Sequence, residues 1–191
     1  MNFSVSLILP PQWVSGSQVK AAKWDHTADL VDDDPDRPVF LTRAADILSA
    51  NGVRLDLKGF FKVPLPVSTD VGLGEFLENL PGLLSFLLIP SPNPYTLSLS
   101  EQGIQTEFTF STGTERDVIE VACFSTAKRE LDCDREAVSR RKLVAQMTQF
   151  VRNYREATTR YVPELLGEAW NQKLFVAAAE LAKTLPSVGT Q

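Results

Sequence analysis

Aspartates crowd one short stretch near the amino end. Asp25, Asp29, Asp32, Asp33, Asp34 and Asp36 fall between positions 25 and 36, where there is no Lys or Arg. Alternate carboxylates suit a hard cation, and Asp32, Asp34 and Asp36 match the first, third and fifth ligand positions of an EF-hand loop. The match then fails. Arg37 stands where the sharp turn needs glycine, and Arg43 stands where a bidentate glutamate is needed. Only weak divalent binding is left open, and no metal or cofactor is expected. Two readings remain for the run: a solvated, self-repelling loop, or a negative surface that recognises a basic partner. Charge complementarity of the second kind speeds encounter and rejects wrong partners.

The other reactive side chains form no closed set. His26 is the single histidine. Trp24-Asp25-His26 has the order of an aromatic, an orienting carboxylate and a base, but no G-x-S-x-G elbow brings a nucleophile to it. Gly72-Leu73-Gly74 lacks the third glycine of a dinucleotide fingerprint, since position 77 is leucine. Cys123 and Cys133 have no histidine partners for zinc, and two cysteines are too few for a disulfide scaffold. Basic residues gather further on: from Lys128 to Arg160 there are nine Lys or Arg against five Asp or Glu. Arg140, Arg141, Lys142, Arg152, Arg155 and Arg160 read as the solvated face of a helix. Few aromatics interleave with them, as a nucleic-acid surface would require.

The bulk numbers agree with this. The chain has 191 residues, 43% hydrophobic and 23% charged, with a net charge of −5. That is the composition of one folded domain over residues 1–191 rather than of a disordered chain. The acidic balance disfavours nucleic acid, whose binding rests on Lys and Arg against phosphates. Phe3 to Leu9 is too short for a secretory signal and is cut by Pro10-Pro11. The most apolar stretch, Leu73 to Ile89, is interrupted by Glu75, Glu78, Asn79 and Pro81, so no membrane partner is expected. A cytoplasmic protein follows as the expectation.

Elements must position these groups. Phe3, Val5, Leu7 and Leu9 alternate with Asn2, Ser4, Ser6 and Ile8 as a short strand does. Residues 10–38 show no period and read as a long acidic loop. Val39 to Ala50 carries Leu41, Ala44, Ala45 and Leu48 on one helical face, and Asn51-Gly52 ends it. Val53 to Val63 reads as a strand closed by Pro64 and Pro66. Phe60 falls on its polar side, either as an exposed contact anchor or as a ring covered by a helix. A helix carrying Phe76, Leu77 and Leu80 follows, and Pro81-Gly82 should kink or split it. Tyr95 to Ser100, Ile104 to Phe110 and Val118 to Phe124 alternate with short turns between them, which favours an antiparallel meander. Asp134 to Arg160 and a helix after Pro163 make a C-terminal pair over 134–185.

The expectation is α+β: one antiparallel sheet of about four or five strands packed against helices. For function it is a non-enzymatic protein-binding protein. Trp24, Asp25, Asp29, Asp32, Asp33, Asp34 and Asp36 form its contact surface, covering a basic toxin or effector as bacterial immunity proteins and antitoxins do. That rests on analogy of charge and fold class. Two other classes compete. One is a small carboxylate enzyme built on Asp25, His26, Asp32 and Asp34. The other is a scaffold or homo-oligomerisation module using the C-terminal helices.

Overall fold

A computed structural model describes residues 3–10, 40–60, 69–89, 91–101, 104–115, 117–126 and 135–185. The fold is α+β. Strands β1 (Ser4–Ile8) and β2 (Arg54–Lys58) form an antiparallel pair. Strands β3 (Tyr95–Glu101), β4 (Ile104–Thr112), β5 (Val118–Ser125) and β6 (Arg135–Ser139) form a four-stranded antiparallel meander in sequence order. Helices α1 (Phe40–Ala50), α2 (Thr69–Leu88), α3 (Arg140–Tyr161) and α4 (Ala169–Lys183) complete it, with a 3-10 turn at Pro163–Gly167. Among the described residues, no helix is long and apolar enough to cross a membrane.

Alternation in the meander sets which face is buried. Leu97, Leu99, Phe108, Phe110, Ile119, Val121 and Cys123 point inward, while Ser98, Glu107, Thr109 and Glu120 point outward and are only partly covered, as a one-sided sheet requires. The inner face meets β1: the Phe3 ring lies 5.7 Å from Phe108 and 5.9 Å from Phe110. Behind it, Phe76 on α2 and Phe150 on α3 sit 4.9 Å apart. Aromatic contacts of this tilted kind add to the burial of their large apolar area.

Several elements differ from the sequence expectation. The strands form two sheets rather than one. β2 stops at Lys58 instead of running to Val63, because Gly59 and Phe60 both take positive φ, 111° and 61°. This left-handed step turns Phe60 off the polar face of its strand and into the core, where it is 1% exposed and 5.6 Å from the Phe3 ring. The exposed-anchor reading of Phe60 is therefore overturned. α2 runs through Pro81 without splitting. Gly82 lets that helix lie against Tyr95, since a Cβ there would come 2.6 Å from the ring. The Tyr95 hydroxyl donates to the Asn79 carbonyl at 2.5 Å. The first residues assigned to the C-terminal helix are instead β6, and α3 begins at Arg140.

Candidate functional site

Three places bring polar or apolar groups together where chemistry or recognition could occur. The first is a buried carboxylate. Glu136 lies on β6 opposite Val121 and faces the interior. It accepts the N–H of Phe60 at 3.3 Å and a short hydrogen bond from the N–H of Phe3. Buried charge is costly unless hydrogen-bonded, and these two donors, one just before β1 and one just after β2, supply what water would. The carboxylate thus fastens the two-stranded sheet to the four-stranded one. Gly59 makes room for it, because its Cβ position lies 3.3 Å from Glu136 Oε1 and 3.0 Å from the Cα of Phe3.

The second is a polar cleft of about 140 Å³ where β5, α3 and the end of α4 meet, lined by Asp117, Arg140, Arg141, Val144, Thr184 and Leu185. Ser139 caps α3, accepting from the Lys142 N–H at 3.4 Å and donating through its hydroxyl to Asp117 Oδ2 at 3.1 Å. The Asp117 carbonyl accepts the Arg140 N–H at 2.8 Å. Arg140 reaches away to the carbonyl of Leu87 through its guanidinium, placing a cation at the C-terminal end of α2, where the helix dipole favours one.

The third is the outer face of the four-stranded sheet. Phe124 is 59% exposed there and pairs across β4 with Glu107. Its place could be read from the sequence, because Val118, Glu120, Ala122 and Phe124 share the parity opposite to Ile119, Val121 and Cys123.

Titratable groups with displaced behaviour are packing groups. Burial pushes the Tyr95 phenol up to about 12. Burial raises the Tyr154 phenol further, although the neighbouring Thr158 and Asn171 side chains act in the opposite sense. Both stay protonated and neutral at physiological pH. Among the described residues, no three His, Cys, Asp or Glu converge as metal ligands would. On α3, Arg141, Lys142, Arg152 and Arg155 are exposed. Arg155 stacks over Phe175 at 5.3 Å, and Arg160 lies over Tyr161 at 5.8 Å.

No family model, curated protein or solved structure matches the chain.

Trp24, Asp25, Asp29, Asp32, Asp33, Asp34 and Asp36 lie outside the described residues, as do His26 and Cys133. The two ends of the segment that carries the aspartates are described, and both meet α1. Pro10, the last residue before it, comes 3.5 Å from the Cβ position of Gly52, just past the end of α1. Phe40, the first residue after it, begins α1, and its ring packs on Trp170 of α4 at 6.3 Å. The anchors are thus about one helix length apart, roughly 16 Å at 1.5 Å per residue.

Proposed function

We propose that this chain is a non-enzymatic protein-binding protein. Its acidic segment covers a basic surface on another protein, in the manner of bacterial immunity proteins and antitoxins, inside the cytoplasm. Asp25, Asp29, Asp32, Asp33, Asp34 and Asp36 supply the charge, and Trp24 supplies an aromatic anchor of the kind that dominates binding hot spots. The observation that carries the reading is the charge itself: six aspartates with no intervening cation in a chain of net charge −5.

Two features of the described residues support it. Pro10 and Phe40, the described residues on either side of the segment, sit at opposite ends of one helix. Among the described residues the most buried carboxylate, Glu136, is occupied by backbone donors, which suits a rigid platform better than a reacting centre. Rigidity in the body limits the ordering entropy that binding must overcome.

Affinity capture from the native lysate tests the proposal. Bait carrying Asp32→Asn, Asp33→Asn, Asp34→Asn and Asp36→Asn together should lose a basic protein that the unaltered chain retains at low salt. Equal recovery by both baits would remove the acidic segment from the function. Recovery of no basic protein, together with hydrolytic activity abolished by His26→Ala, would favour the carboxylate-enzyme alternative.

A further inference from the structure

Among the described residues, two open sheets present four outer strand edges, and a bare edge is a row of N–H and C=O groups ready to accept another strand. Side chains cover two of these edges. Along β1, the N–H of Phe3 just before it goes to Glu136, and the Leu7 carbonyl accepts Asn153 Nδ2 at 2.7 Å. On β3, the Ser100 N–H goes to Glu75, and the Ser98 carbonyl accepts Asn79 Nδ2 at 3.4 Å. The outward groups of β2 and β6 have no such cover among the described residues.

Ladder phase identifies the outward groups. The Gly113 N–H bonds the Val118 carbonyl at 2.8 Å, and the Arg140 N–H bonds the Asp117 carbonyl at 2.8 Å. Antiparallel strands alternate their bonding direction residue by residue. Glu136 and Val138 therefore bond β5, and Arg135, Ala137 and Ser139 face outward. By the same parity, Leu55 and Leu57 face outward on β2.

The two bare edges differ in what they can pair with. A two-fold axis at the centre of β2 sets Asp56 against Asp56 and Arg54 against Lys58, and like charges directly opposite destabilise. A two-fold axis through Ala137 of β6 sets a methyl group against a methyl group. It also brings Arg135 of one copy across from Ser139 of the other. The Ser139 hydroxyl is already bonded to the Asp117 carboxylate, so each Arg135 meets an anion, twice by symmetry. Arg135, Ala137, Ser139 and Asp117 are all exposed. Among the described residues Asp117 forms no ion pair, although Arg140 and Arg141 share its cleft. The Ser139 carbonyl belongs to the first turn of α3, which leaves about four backbone hydrogen bonds across the axis.

We infer that β6 pairs with β6 of a second copy, antiparallel about a two-fold axis through Ala137, joining the two four-stranded sheets into one. The contact is isologous, as a closed dimer requires. It does not involve the acidic segment and stands apart from the proposed partner binding.

Sedimentation velocity on the full chain across a concentration series tests this. The expected result is a monomer–dimer equilibrium. Ala137→Pro removes only an outward N–H, one in each copy, and should weaken the dimer by about tenfold or more. Arg135→Asp and Asp117→Arg should each weaken it, and the two together should restore it. If Ala137→Pro does not fold by circular dichroism, Ala137→Lys serves instead, placing like charges on the axis with the ladder intact. A single monomeric species at every concentration would overturn the inference. So would a dimer indifferent to the residue at 137, or a charge swap that restores nothing.

Discussion

Removing the Glu136 carboxylate should weaken the whole fold. Its two backbone donors, Phe3 N–H and Phe60 N–H, arrive from positions 133 and 76 residues away in sequence. Glu136→Ala leaves both donors buried without an acceptor. Each such group costs about 1–3 kcal/mol, so the expected loss is about 2–4 kcal/mol after partial relaxation. For a chain of this length that lowers Tm by roughly 4–16 °C, at about 2–4 °C per kcal/mol. Glu136→Gln keeps one acceptor oxygen of similar size but loses the charge, and should fall between the two. Thermal melts followed by circular dichroism, with urea midpoints as a second measure, read these differences. A Tm for Glu136→Ala within about 1 °C of the unaltered chain would show that the carboxylate does not join the sheets, since a buried unpaired donor cannot be that cheap.

Other substitutions have equally definite outcomes. Gly59→Ala forces a side chain onto φ 111° with its Cβ 3.0 Å from the Cα of Phe3, and should cost about 1–3 kcal/mol in urea unfolding. Gly167→Ala meets nothing within 4 Å and should be neutral or stabilise by up to about 1 kcal/mol. The raised phenols of Tyr95 and Tyr154 hold their protons in the folded state after the unfolded chain has lost them, so they stabilise below pH 10 and that contribution fades as pH climbs above 10. Urea midpoints between pH 8 and pH 11 (roughly one unit either side of the range where tyrosine begins to ionise) should therefore fall, and less steeply for Tyr154→Phe. Phe124→Ser removes an exposed ring and should change stability by less than about 0.5 kcal/mol.

Periodicity made most of the elements legible. The pattern in Leu97, Leu99, Phe108, Phe110, Ile119 and Val121 marks three strands and their inner face, and each is buried as its parity implies. α1 and its end at Asn51-Gly52 are also local, since Gly52 supplies the positive φ of 83° that stops the helix. What failed was non-local. β6 puts a carboxylate at an inward position, so Arg-Glu-Ala-Val-Ser does not look like half of a buried sheet until Phe3 and Phe60 arrive to satisfy Glu136. Phe60 sat on the wrong parity because a left-handed step at Gly59 and Phe60 changes the phase. The pairing of β1 with β2 joins Ser6 to Asp56 across an intervening helix, which no window along the sequence contains. The acidic residues proposed as the contact surface were visible from composition alone, because charge density needs no fold to be counted.

The central claim is that the carboxylates between positions 25 and 36 draw in a basic partner. Its most direct test is the association rate of the captured partner, followed by stopped flow at increasing ionic strength. The rate should fall steeply with salt for the unaltered chain, and be slower and nearly independent of salt when Asp32, Asp33, Asp34 and Asp36 are asparagine. Identical salt dependence for the two proteins would contradict it.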